Sequence, residues 1–132
     1  MRNETIEVLS THPVLLNVVL PSYNIATDWA DGDQDMKRIL DTHPEPLFLI
    51  SDIREMRMSL DDMISAASMG SRGDTPAWHH PRMRGLYFVS TSKIVRMAAA
   101  GLNNPAFGNV RAKVFGTVEE ALADIERVMA AA

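Results

Sequence analysis

The residues with the most concentrated chemistry lie in one loop-like stretch, Trp78–Arg84, which reads WHHPRMR. Arginine and histidine side chains can hold a carboxylate or phosphate, and a tryptophan can form an apolar wall beside it. The pattern therefore predicts a binding loop for an anionic ligand or a protein partner. The residues assigned to this loop are Trp78, His79, His80, Arg82 and Arg84. The alternative is a surface loop in which Trp78 packs onto the core.

The two histidines also raise the question of a metal or catalytic site. Adjacent residues of an extended chain point in opposite directions, so His79 and His80 cannot both face one ligand. The chain has no cysteine, which excludes thiolate ligands, thiolate nucleophiles and disulfides. Asp61 and Asp62 are helix neighbours that point different ways. We therefore predict no metal, no cofactor and no catalytic residue. A small enzyme that uses His79 or His80 stays as an alternative.

Apolar runs predict the strands that position this loop. Leu47–Asp52 (LFLISD) is almost continuously apolar, as in a strand covered on both faces of a parallel sheet. Leu86–Val89 and Val110–Phe115 are two further strands, and each precedes a helical pattern. Thr5–Leu9 and Val14–Leu20 are separated by a short turn, and this spacing predicts an antiparallel hairpin.

Four helical patterns connect or follow these strands. They are Ile25–Leu40, Ser59–Gly70, Lys93–Leu102 and Val118–Met129. The second begins with Ser59-x-x-Asp62 and the fourth follows Thr117-x-x-Glu120, and both spacings are typical of a capping box. In the fourth helix the apolar stripe predicts an inner face formed by Ala121, Leu122, Ile125, Val128 and Met129.

The predicted element order is ββαβαβαβα. Helical crossovers between consecutive strands imply parallel pairing and right-handed connections. We therefore expect an α/β fold with a mixed, mostly parallel five-stranded sheet, an N-terminal β-hairpin and about four helices. No repeat, low-complexity stretch or linker indicates a second domain, so the prediction is one domain over residues 1–132.

Composition and charge narrow the range of partners. The net charge is −4, whereas a surface that follows nucleic-acid phosphates is normally basic, so nucleic acid is not expected as a partner. No apolar run approaches the roughly 20 residues that span a bilayer. The first four residues, MRNE, precede no apolar segment of the signal-peptide type. We expect a cytoplasmic protein without a membrane span.

Methionine is abundant, with nine residues in the chain. Six of them fall between the end of the central strand and the end of the third helix: Met56, Met58, Met63, Met69, Met83 and Met97. Methionine fills irregular gaps in cores and also suits adaptable binding surfaces. We expect most of these side chains in the core and a minority in an apolar groove or a homodimer interface.

The element order and two local patterns resemble the STAS-like group, which comprises the anti-sigma-factor antagonist fold and the SpoIIAA-like proteins. The first pattern is the central strand that ends at Asp52, followed by a helix that opens at Ser59-Leu60-Asp61-Asp62. The second is the strand-to-helix transition VFGTVEEAL at Val114–Leu122. The resemblance covers nearly the whole chain in order. It implies a sheet with helices mainly on one face and a role in binding rather than catalysis.

The resemblance implies two kinds of binding. One is a lipid-like or small anionic ligand, as in the SpoIIAA-like branch, bound by a homodimeric domain. The other is partner-switching protein interaction through the helix that starts at Ser59, where the regulatory branch carries a phosphorylated serine. Here Asp61-Asp62 replace the usual Asp-Ser pair, and Ser59 lies slightly earlier. The region that the resemblance makes equivalent is Ser59–Asp62, and the candidate binding residues here are Ser59, Asp62 and Met63.

Overall fold

A five-stranded mixed sheet forms the centre of the protein. The computed structural model describes residues 3–56, 61, 77–101 and 111–131. The strands are β1 (Glu4–Val8), β2 (Val14–Val19), β3 (Leu47–Asp52), β4 (Met83–Val89) and β5 (Ala112–Phe115). They lie side by side in chain order; β1 pairs antiparallel with β2, and the other neighbours pair parallel. The predicted α/β class, hairpin and mostly parallel five-stranded sheet are confirmed.

Three helices lie within the described ranges: α1 (Ile25–Thr42), α2 (Lys93–Gly101) and α3 (Val118–Ala131). A short 3-10 helix, Ala77–His79, precedes β4. The predicted helix Ser59–Gly70 lies outside the described residues except for Asp61, which is helical. The described part of the chain therefore has three helices where about four were predicted.

Strand β4 begins earlier than the sequence predicted. Met83 and Arg84, which were placed in the loop, are its first two residues. Met83 pairs with Leu47, and the register then shifts so that Phe48 pairs with Gly85. This irregularity breaks the apolar alternation that would have identified the beginning of the strand.

The two faces of the sheet carry separate apolar clusters, which alternate along β3. On the front face, Leu47 and Leu49 pack with residues of α1 and α2. On the back face, Phe48 and Ile50 pack with residues of α3. Two of the three described helices therefore lie on the front face and one on the back. The helices contribute Met36, Leu40, Val95 and Ala99 to the front cluster, and Ala121 and Ile125 to the back cluster.

The parallel strands β2 to β5 all point the same way, so their carboxyl ends meet at one edge of the sheet, which we call the carboxyl edge. Each of the three helices begins near this edge, because α1 follows β2, α2 follows β4 and α3 follows β5. The helix C-termini lie toward the opposite edge. There the backbone N–H of Leu47, the first residue of β3, donates to the carbonyl of Arg82 at 3.0 Å.

Candidate functional site

Buried polar side chains identify three places in this fold where a function could be located. In the described ranges they are Glu4, Asn17, Asp52, His80, Ser90 and Asp124. Burial of a polar group costs free energy unless the group is hydrogen-bonded, so each must have partners. Four of them lie at or near the carboxyl edge, one lies in the Trp78–Arg84 loop, and one lies under α3.

A chain of hydrogen bonds crosses β1, β2 and β3 on the front face. Asn17 Nδ2 donates to Glu4 Oε1 at 2.7 Å, and Ser51 Oγ donates to Asn17 Oδ1 at 2.9 Å. Asn17 Nδ2 also lies 3.3 Å from the Thr5 carbonyl oxygen, which accepts from it. Asn17 and Ser51 are register partners on neighbouring strands. The buried amide of Asn17 thus bridges the hairpin and the central strand.

Helix α1 approaches this network closely at Gly32. A Cβ atom on Gly32 would lie 2.7 Å from both carboxylate oxygens of Glu4. Tyr23, just before α1, has a pKa well above its ordinary value, because burial and then the charges of Glu4, Asp28 and Asp33 disfavour the phenolate. Tyr23 therefore stays a protonated hydroxyl beside a group of carboxylates.

An ion pair lies at the end of β3. Arg54 Nε donates to Asp52 Oδ1 at 3.0 Å, and its Nη2 donates to Oδ2 at 2.7 Å, in the bidentate geometry that makes such pairs strong. These hydrogen bonds and the charge of Asp52 raise the pKa of Arg54. The Asp52 side chain is buried, whereas 43% of the Arg54 side chain is exposed. The guanidinium therefore retains a surface that a ligand can contact.

Two helices leave the carboxyl edge beside this ion pair, toward opposite faces. After β4, the buried Ser90 accepts the backbone N–H of Ser92 at 3.1 Å, and α2 continues on the front face. After β5, Thr117 Oγ1 accepts the backbone N–H of Glu120 at 3.1 Å, and α3 continues on the back face. The predicted helix cap at Thr117 is confirmed. In open α/β sheets, ligands bind outside the carboxyl ends of the strands. The carboxyl edge of β3, β4 and β5 is therefore our candidate site.

His80, one of the predicted binding residues, is buried against α1. Its Nδ1 accepts the backbone N–H of Arg82 at 3.0 Å, so this nitrogen carries no proton. Its Nε2 is then the protonated nitrogen and donates to Asp41 Oδ1 at 2.6 Å. Both ring nitrogens are occupied, so neither is free in this conformation to bind a metal or to accept a proton from a substrate.

Arg82 also bonds to α1. Its Nε donates to the carbonyl of Leu40 at 2.8 Å, and its Nη2 donates to the carbonyl of His43 at 2.6 Å. These are carbonyls at the helix C-terminus, where intrahelical partners run out. Farther up the helix, Asp33 Oδ1 accepts the backbone N–H of Ala77 at 2.9 Å. The loop is therefore hydrogen-bonded to α1 at several points along the helix.

Trp78 is part of the core. It makes edge-on ring contacts with Trp29 and Phe88, with centroid distances of 5.3 and 5.6 Å. The alternative in which Trp78 packs onto the core is therefore confirmed.

The structure separates the other two predicted loop residues from Arg82. His79 is exposed. The guanidinium carbon of Arg84 lies 4.6 Å from the ring centroid of Phe48 on the back face, whereas Arg82 contacts α1 on the front. Arg82 and Arg84 therefore do not converge on a single anion. Ser59, Asp62 and Met63 lie outside the described residues, and binding by this whole set stays a prediction.

The third place is a charged cluster under α3 that the sequence did not indicate. Asp124 Oδ2 accepts from the Tyr87 hydroxyl at 2.7 Å and from Lys113 Nζ at 2.8 Å, and Oδ1 accepts from Arg127. Burial alone would raise the pKa of Asp124, but these hydrogen bonds outweigh it and lower the pKa to about 2. The pKa of Tyr87 is raised by burial and by Asp124. The cluster attaches α3 to β4 and β5.

Comparison with protein-family models, curated proteins and solved structures finds no match to this chain. Within the described ranges, no helix is long and apolar enough to cross a membrane. No group of three or more histidine and acidic side chains is arranged to hold a metal ion in that part of the chain.

Proposed function

We propose that this chain is a non-enzymatic, ligand-binding or regulatory domain of STAS/SpoIIAA-like type, which binds a lipid-like or small anionic ligand at the carboxyl edge of its sheet. The observation that carries the proposal is the exposed guanidinium of Arg54, fixed on the buried Asp52 at the carboxyl edge, where α2 and α3 begin. Helix N-termini attract anions, and the ion pair holds Arg54 in place before any ligand arrives.

The state of the buried titratable groups favours binding over catalysis. A general acid or base needs a proton or lone pair available to the substrate. Asp52 forms an ion pair with Arg54, and both ring nitrogens of His80 are hydrogen-bonded. The Asp124 carboxylate accepts hydrogen bonds from three side chains. His80 therefore gives no support to the alternative of a small enzyme that uses His79 or His80, and we do not propose that enzyme.

The charges around Arg54 favour one type of ligand. Glu55 and Glu119 lie close enough to Arg54 to interact with it electrostatically. They would repel a compact, multiply charged anion. A molecule with one anionic group and an apolar tail fits this setting better, which supports the lipid-like class of ligand.

A thermal-shift assay tests this proposal. The probes are a long-chain fatty acid, a lysophospholipid and inorganic phosphate, and native mass spectrometry of the purified protein detects any ligand that copurifies. We expect the fatty acid or the lysophospholipid to raise the melting temperature of the wild type. The shift should fall in Arg54→Gln and persist in Arg38→Gln, a matched control in which the arginine also pairs with an aspartate, Asp35. No bound species and no shift with any probe would contradict the proposal.

The alternative is a protein-interaction domain that docks through the helix starting at Ser59. Asp61, the described residue of that segment, is helical and exposed, as a docking helix requires. A pull-down with wild type, Ser59→Ala and Asp62→Ala tests it. We expect one captured protein that is lost in either variant. Recovery of the same proteins by all three would count against docking through this helix.

Self-association belongs to the proposal as well, and the sequence led us to expect a homodimer. Among the described residues, large apolar side chains are exposed in two pairs: Ile94 (41%) and Met97 (72%) on α2, and Val128 (39%) and Met129 (38%) on α3. Single exposed apolar residues are normal, whereas grouped ones favour contact with a partner. Light scattering coupled to size exclusion measures the number of copies directly.

A further inference from the structure

Helix α2 presents an apolar and basic surface to solvent. Its inner residues Val95 and Ala99 are buried in the front cluster. Its outer residues Lys93, Ile94, Arg96 and Met97 are exposed, and we call these four residues the α2 ridge. No acidic residue occurs in α2, so the ridge carries two positive charges beside two apolar side chains.

The opposite face of the molecule has an incompletely covered sheet. Helix α3 packs on the back of the sheet through Ala121 and Ile125, and Leu9 and Leu16 at the hairpin, which pack against that cluster, are only partly buried. Glu7 pairs with Leu16 in the hairpin and is exposed. No described helix covers this part of the back face.

The side of α3 that borders this area is acidic and apolar. Glu126 Oε1 lies 2.8 Å from His12 Nε2 at the hairpin turn, which shows that this side of α3 faces the hairpin. Met129, three residues later, lies on the same side of the helix and is partly exposed. We call Glu7, Leu9, Leu16, Glu126 and Met129 the back ledge.

We infer that the α2 ridge of one copy docks on the back ledge of a second copy. The ridge contributes Lys93 and Arg96, and the ledge contributes Glu7 and Glu126, so the two surfaces have opposite charge. Met97 and Met129 provide flexible apolar contacts at the centre. The inference rests on the proposed self-association, replaces the expected symmetric homodimer with a contact between two different surfaces, and is independent of the proposed ligand.

The positive charge of the α2 ridge also disfavours a symmetric contact between two copies. Two copies that met ridge to ridge would bring Lys93 and Arg96 of each copy against those of the other, which is unfavourable. The ridge is on the front face and the ledge on the back, so the docking is head-to-tail. Such a contact can repeat from copy to copy, into a ring or a filament, rather than stop at a symmetric dimer.

Site-directed disulfides test this geometry directly, since the chain has no cysteine of its own. Met97→Cys and Met129→Cys are mixed one to one, oxidised mildly and resolved on a non-reducing gel. The control mixture replaces Met129→Cys with Ala123→Cys, an exposed position on the outer side of the same helix. We expect the mixed disulfide to form roughly tenfold faster with Met129→Cys than with Ala123→Cys, because a specific contact raises the effective concentration of the thiols.

The other outcomes overturn the inference in distinguishable ways. Equal rates in the two mixtures, while light scattering shows more than one copy of the wild type, would mean self-association through another surface. Rapid disulfide formation by Met97→Cys alone would mean a symmetric ridge-to-ridge contact. A monomer at every concentration, with no preferential disulfide, would overturn both this inference and the proposed self-association, while leaving ligand binding to its own test.

Discussion

His80 Nε2 donates a hydrogen bond of 2.6 Å to Asp41 Oδ1, which joins the chain before β4 to the last turn of α1. The imidazole is buried while the Asp41 side chain is largely exposed. The neighbouring His79 is exposed. Two adjacent histidines therefore occupy opposite environments, and only one of them is part of the packed structure.

Replacing each histidine in turn should change the free energy of unfolding by different amounts. We expect His80→Ala to lower the free energy of unfolding by about 1–3 kcal/mol, because it leaves the Arg82 N–H without its acceptor and empties a buried site. His79→Ala should change it by less than about 0.5 kcal/mol, as is usual for an exposed side chain. Urea unfolding of both variants measures the difference. Equal losses would contradict the structural role of His80.

The hydrogen bonds to Asp124 should make the free energy of unfolding depend on pH in the acidic range. At neutral pH we expect Asp124→Asn to lose about 1–3 kcal/mol of unfolding free energy, since three hydrogen bonds to a charged carboxylate weaken. Lys113 and Arg127 are mostly exposed and keep their solvation, so the loss should stay below that of a fully buried ion pair.

The sign of the pH effect follows from the depressed pKa of Asp124, about 2 against an ordinary value of 3.8. The stabilisation is fully present above the ordinary value and is lost as the pH falls toward the folded-state value. The gap between wild type and Asp124→Asn should therefore be constant above about pH 5 and shrink between about pH 4 and pH 2. A gap that widened in acid would refute this assignment.

Gly32 should be intolerant of a side chain, unlike Gly101. Gly32→Ala brings a Cβ atom to 2.7 Å from the Glu4 oxygens, which cannot move without disturbing the hydrogen bond to Asn17. We expect a loss of about 1–3 kcal/mol in urea unfolding. At Gly101, the last residue of α2, no atom lies within 4 Å of the added Cβ. Gly101→Ala should therefore be neutral or stabilise by up to about 1 kcal/mol.

A double variant shows whether the contact with Glu4 causes the loss. In a Glu4→Ala background the obstructing carboxylate is gone, so Gly32→Ala should cost much less there than in the wild type. The same cost in both backgrounds would mean that the contact is not the cause.

The strands were predictable because their signals are local. The apolar run at Leu47–Asp52 identifies the central strand, and the short turn between β1 and β2 indicates their antiparallel pairing. Neither inference needs tertiary information. The beginning of β4 was missed because Arg84 and Gly85 interrupt the apolar run after Met83, and only the irregular pairing with β3 reveals these residues as part of the strand.

The side-chain networks were not predictable for the opposite reason. Asp124 and Tyr87 are 37 positions apart, and His80 and Asp41 are 39 apart. Their contacts depend on where α3 and α1 cross the sheet, which no local pattern gives. One usable signal was Tyr87 itself, since a tyrosine in a buried strand needs a partner for its hydroxyl.

The prediction of the inner face of α3 was correct only in part. Ala121 and Ile125 are buried as predicted, but Val128 and Met129 are exposed. Helical periodicity gives the direction of a side chain but not the extent of the surface below it.

The sequential order of the strands has a consequence for synthesis on the ribosome. Each strand pairs with the one made just before it, so the sheet can grow strand by strand as the nascent chain emerges. The back face is covered later than the front face, because α3 is the last described element to be synthesised. Until then Val14, Phe48 and Ile50 have no helix of the described chain over them. The apolar surface that the described back face exposes is therefore largest in the interval between the synthesis of β5 and that of α3.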